Sequence, residues 1–202
     1  ISWRHHVEAI CAHITKENIN SLLQQNGITG DIGLLSIDID GNDYYVWQSI
    51  KVIKPAIVVI EYNAVFGDLH SITVPYRSDF LRTKAHSSNL YFGASLQAII
   101  SLGKEKGYTF VGSNTIGANA FFIRNDLAPQ ITSLLESISA YPSFFRESRD
   151  HAGKLLLLGG LKRSMIIKDA PLFDVKNKEN TSISKLGEIY SSSWKNGQKN
   201  TF

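Results

Sequence analysis

Acidic side chains recur where two short apolar runs end. Residues 33–39 (GLLSIDI) carry Asp38 near their end and lead into Asp40-Gly41-Asn42-Asp43, and residues 56–60 (AIVVI) lead into Glu61-Tyr62-Asn63. If the runs are neighbouring parallel strands, about 4.8 Å apart, then Asp38, Asp40, Glu61 and Asn63 converge on one crevice. That crevice lies beyond the strand ends, where open α/β sheets bind ligands. Crowded carboxylates repel and raise one another's pKa, and a divalent cation relieves the repulsion. Hard oxygen ligands suit Mg²⁺ or Ca²⁺, and a metal so placed would hold a hydroxyl and favour loss of its proton. Asp38 and Glu61 are the candidate catalytic pair. Asn42 and Asp43 have a simpler reading as a tight turn and helix start, with Asp43 against the positive end of the helix dipole.

Other residues offer weaker chemistry. Tyr76, Arg77 and His70 fall in a long segment without periodicity and are candidate substrate contacts, since loops carry function. His70 and His86 are candidate bases for a hydroxyl. His5, His6 and His13 form no convincing metal set on a strand. Gly93-Ala94-Ser95 opens a helix whose N-terminus could meet an anion, or Ser95 could simply cap it. Trp47 and the single cysteine, Cys11, read as core.

The elements that would position these groups follow from patterning. Residues 7–14 predict a strand, and Thr15 an N-cap for a helix with Ile19, Leu22 and Leu23 on one face, ended by Gly27 and Gly30. Residues 33–39 and 56–60 predict strands buried on both faces. Between them Val46, Ile50 and Ile53 repeat at helical spacing until Pro55. Residues 64–92 predict a lid or binding loop. Residues 93–106 predict a helix ended by Gly107, and 108–112 with 118–124 a closing antiparallel hairpin. The alternation predicts an α/β fold with a mostly parallel sheet, right-handed crossovers and an antiparallel terminal hairpin. Residues 1–127 read as one domain part and 128–202 as an extension. The extension holds a short helix near Ile131, a turn at His151-Ala152-Gly153, a helix near 161–167 and a poorly ordered polar tail from Lys176.

Composition narrows the class. The net charge is +3, with 21 Lys and Arg against 18 Asp and Glu, and the basic residues are scattered. A nucleic-acid surface concentrates its positive charge, so nucleic acid is not an expected partner. No run of about 18 apolar residues exists, so no membrane span is expected. A lone cysteine excludes an intrachain disulfide and suits a reducing cytoplasm. The chain starts Ile1-Ser2-Trp3 without Met and shows no signal-peptide pattern, so an upstream segment is expected.

The motifs LLSIDIDGNDYYVW, VVIEYN, VPYRSDF, YFGASLQAIISLGKEKGYTFVG and NAFFIRNDL, in that order, resemble a bacterial family of uncharacterised methyltransferases and, more distantly, FkbM-type methyltransferases. The likeness is dense over residues 5–127 and looser in YPSFFRESRD and DAPLFDV. It implies a Rossmann-like class I sheet in which 33–39 and 56–60 are the fourth and fifth strands and 108–112 and 118–124 the last two. It also implies S-adenosylmethionine as cofactor, and a small-molecule or glycan hydroxyl as acceptor. Metal-dependent O-methyltransferases of this fold class carry acids and an Asn at the ends of those strands. Asp38, Asp40, Glu61 and Asn63 would be the corresponding group, although Glu61-Tyr62-Asn63 departs from the usual Asp-Asn pair. The glycine-rich loop and the ribose-gripping acid of the class have no match here, so the N-terminal cofactor-binding strands are expected to precede this chain. Two alternatives stay open. One is a non-catalytic methyltransferase-like binding domain, with an exposed sheet edge covered by another copy or a partner. The other is a glycosyltransferase using Asp38-Ile39-Asp40 on a metal.

Overall fold

The computed structural model describes residues 7–202. His5 and His6 lie outside the described residues. The elements in chain order are α1 (Ile19–Gln25), β1 (Gly30–Ile37), α2 (Asp43–Ser49), β2 (Ile53–Glu61), a 3-10 turn (Ala64–Phe66), β3 (Ile72–Thr73), α3 (Arg82–Ala85) and α4 (Leu96–Glu105). They continue with β4 (Tyr108–Ser113), β5 (Asn119–Arg124), α5 (Ala128–Thr132), β6 (Ser139–Ala140), α6 (Lys162–Ile166), β7 (Leu172–Asp174), β8 (Glu179–Thr181), α7 (Ile183–Leu186), α8 (Ser192–Lys195) and β9 (Asn200–Thr201).

The chain is a mixed α/β fold. Its main sheet has the order β1-β2-β5-β4. β1 and β2 are parallel, with Leu34 opposite Ile57 and Ile37 opposite Ile60. β5 runs antiparallel to both β2 and β4. The expectation of a mostly parallel sheet is therefore corrected, since one of the three adjacent pairings is parallel. The closing hairpin does not simply extend the edge. Its second strand inserts beside β2 and leaves its first strand outermost, so the tight β4–β5 connection turns two of the three pairings antiparallel.

The central strand β2 starts earlier than expected and contains Pro55. Its pairing with β5 begins at Ile57, so the missing N–H of Pro55 breaks no bond there. Val58 and Ile60 are fully buried, in the same core as Trp47 of α2 and Leu102 of α4. Trp47 in α2 lies 5.1 Å from Phe122 of β5 and 5.9 Å from Tyr108 of β4 between ring centroids, which ties helix to sheet. Ser95 caps α4, its hydroxyl accepting from Ala98 N and Ile72 N and donating to His70 O. The capping reading of Gly93-Ala94-Ser95 therefore holds, because that hydroxyl is saturated within the protein.

Several expectations give way. Residues 7–14 form no strand, and Cys11 among them is exposed. β1 is not buried on both faces. It is an edge strand, and Leu34 is 57% exposed because nothing among the described residues covers it. Residues 64–92 are not one open loop: β3 within them pairs with β7, Ile72 opposite Asp174. The polar tail from Lys176 holds β8, α7, α8 and β9. It packs inward, with the Tyr190 hydroxyl donating to Val65 O and the Trp194 ring 6.3 Å from that of Tyr62.

Candidate active site

β1 and β2 are neighbours in register, so both acidic strand ends emerge on one side of the sheet. The loop after β1 is held by Asp43, the first residue of α2. Its fully buried carboxylate accepts from Ile39 N and Gly41 N, both at 2.9 Å. Burial pushes Asp43 up, opposed by those two backbone bonds. Asp40 takes a left-handed φ of +56°, a conformation Asp tolerates better than most residues. At Gly41 a Cβ would overlap the Phe80 ring, so any larger residue there would have to displace that ring. Asn42 donates from Nδ2 to Arg77 O at 2.8 Å, tying this loop to the segment before α3.

The four residues expected to hold a metal do not form a cage. Asp38 is exposed. Asp40 pairs with Arg82, its Oδ1 2.7 Å from Nη1. Asn63 is used internally: Nδ2 donates to Leu90 O (2.8 Å) and Phe92 O (2.9 Å), and Oδ1 accepts from Val65 N (3.0 Å). Its role is to cap the 3-10 turn and pin residues 90–92. Among the described residues no three His, Cys, Asp or Glu side chains gather in a way that could hold a metal. The donor set does not fit Mg²⁺, which demands near-octahedral oxygens, and the Asp38-Ile39-Asp40 pair offers one uncommitted carboxylate, not two.

Glu61 is different. It ends β2 opposite Asn119 of β5, and its Oε2 is buried without a hydrogen-bond partner. Desolvation, with the negative charges of Asp43 and Asp38 nearby, pushes its carboxyl up to about 8, while Arg82 pulls the other way. Glu61 lines a cavity of about 170 Å³ together with Asn63, Arg82, Phe92, Ser143 and Arg163. Arg82 is fixed on this wall by three contacts: the ion pair to Asp40, Nε donating to Asn89 O at 2.8 Å, and its guanidinium 3.7 Å from the Phe92 ring centroid. A carboxyl pushed up to about 8, beside Arg82 and in a cavity that Arg163 also lines, can bind a polar molecule and exchange a proton with it.

The expected substrate contacts lie elsewhere. The Tyr76 hydroxyl donates to Glu17, and Lys16 sits 4.0 Å from its ring centroid. Arg77 pairs with Asp79 and lines a different cavity, of about 470 Å³, with Phe80, Tyr91 and Lys168. His70 bonds Glu188 O at 2.9 Å and borders a third cavity. None of the three lines the Glu61 cavity. His86 exchanges bonds with Ser88 and also lies outside it. Arg82, Ser143 and Arg163 were not singled out from the sequence. For Arg163 a signal exists, an arginine four residues before Ile167 on what becomes the buried face of α6.

The class that the motifs resemble holds its cofactor with a glycine-rich turn, and no Gly-x-Gly occurs in this sequence. The described residues thus supply no such cradle. Compared with known proteins, the chain matches no family model, no curated protein and no solved structure.

Proposed function

We propose that the cavity at the end of β2 is the acceptor site of a class I, Rossmann-like O-methyltransferase, in which Glu61 takes the proton from a small-molecule or glycan hydroxyl. The observation that carries this reading is the Glu61 carboxyl itself. It ends the central strand β2, lines a cavity, keeps one oxygen without a partner and is pushed up to about 8. A general base works best with a pKa close to the operating pH, and perturbed carboxyls in clefts mark working sites. The order of the resembling motifs and the reversed strand beside β2 support the fold side of the reading. Asp43 shapes the neighbouring loop and Arg82 steadies the wall. S-adenosylmethionine belongs to this reading through the resemblance.

The test is calorimetric titration of S-adenosylmethionine into the protein expressed from its complete reading frame, with and without Mg²⁺, followed by methyl transfer to a panel of hydroxylated acceptors. Micromolar binding, with transfer that rises with pH through about 8 and loses that rise in Glu61→Gln, is expected. No binding under either condition sinks the methyltransferase reading and leaves a binding domain.

A further inference from the structure

Arg163 is the second charged group of the cavity that is shielded from water, at 4% exposure. A guanidinium stays protonated in proteins, so burial cannot be relieved by losing the charge, and desolvation does pull its pKa down. No Asp or Glu pairs with it among the described residues. Glu147, which also lines the cavity, is exposed and makes no ion pair with it. The protein partners of Arg163 come from one residue: Nη2 donates to Ser143 O at 2.9 Å and Nη1 reaches Ser143 Oγ at 3.4 Å. Nε has no acceptor. The head of the fork is thus taken and the Nε–Nη2 edge is left.

That same edge holds a carboxylate twice elsewhere in this chain. Arg77 binds Asp79 through Nε (3.1 Å) and Nη2 (2.9 Å), and Arg124 binds Asp126 through Nε (2.7 Å) and Nη2 (3.0 Å). We propose that the cavity takes a small ligand bearing a carboxylate, which Arg163 binds through its Nε–Nη2 edge. One planar pair of donors matches the two coplanar oxygens of a carboxylate. A cavity of about 170 Å³ has room for a molecule of lactate size or for the acid end of a uronic acid.

The test titrates the chain with lactate, its neutral amide lactamide, and inorganic phosphate at constant ionic strength, followed by amide NMR shifts. Arg163→Met and Arg163→Lys are titrated alongside. Lactate is expected to bind about tenfold or more tightly than lactamide, the scale of a hydrogen-bonded charge, and more tightly than phosphate. Arg163→Met should lose that preference, and Arg163→Lys, a charge without the fork, should keep only part of it. Without ligand, Arg163→Met should be at least as stable as the parent, because a buried unpaired charge has gone. Lactate and lactamide binding alike, a preference that survives in Arg163→Met, or phosphate binding best would each overturn the proposal. If Arg163→Met does not fold, Arg163→Lys carries the comparison. No S-adenosylmethionine is present, so a failure of methyl transfer does not disturb the readout.

Discussion

Glu61 makes the folded protein sensitive to alkali. Its carboxyl sits at about 8 in the fold against an ordinary value of 4.5. Between those values the folded state keeps a proton that the unfolded chain has lost, so stability falls as pH rises through that window and levels off above it. Glu61→Gln removes the slope. We expect the variant to melt several degrees above the parent at pH 8.5, on a scale of about 2–4 °C per kcal/mol, and to match it near pH 4.5; calorimetric melts across pH check this. Asp43 acts in the opposite sense on structure. Two backbone N–H groups, the part-buried one of Ile39 and the buried one of Gly41, lose their acceptor in Asp43→Ala. The expected cost is about 2 kcal/mol or more, read by denaturant unfolding, with the loop after β1 as the first region to lose amide protection.

At the scale of elements, the ties between distant segments decide what holds. β3 has two residues and no stability of its own; it exists because β7 pairs with it. The Tyr190 bond to Val65 and the bond from Ser191 N to Asp68 fasten the C-terminal segment to the turn after β2. Removing residues 172–202 should therefore destabilise the region around Glu61 as well as the tail, seen as faster hydrogen exchange over residues 62–74. A truncation that leaves those amides protected would contradict this coupling. The same dependence explains what the sequence makes readable. β2, α4, β4 and β5 are legible because each carries its own signal, an apolar run or a helical face with Gly107 behind it. β3, β7 and β9 are not, because strands of two or three residues have no period and form only on their partners. The site divides in the same way. Glu61 is legible as the acid closing an apolar run, whereas Arg82 and Arg163 arrive from a short helical turn and a late helix that nothing local links to it. Tyr76 and Arg77 look alike in sequence but are committed to Glu17 and Asp79.

At the scale of the whole molecule, no helix among the described residues is long and apolar enough to cross a membrane. Among the described residues nothing covers one face of the parallel pair. Leu34 and Ile57 are cross-strand partners, so their side chains share a face, and both are exposed, at 57% and 39%. An edge strand with an apolar face is prone to pair with another chain. Self-association of the 202-residue chain is expected to rise with concentration and to weaken in Leu34→Lys, with stability changed by no more than about 0.5 kcal/mol; sedimentation equilibrium reads both species. The functional account, in contrast, converges on one carboxyl at the opposite level of description. Its most direct test is a carboxyl ¹³C NMR titration of Glu61, assigned with Glu61→Gln. The account predicts an apparent pKa near 8, lowered when a neutral hydroxylated ligand that hydrogen-bonds the carboxylate is bound. A Glu61 that titrates near 4.5 like an exposed glutamate would contradict it, because the cavity would then hold an ordinary carboxylate and no poised base.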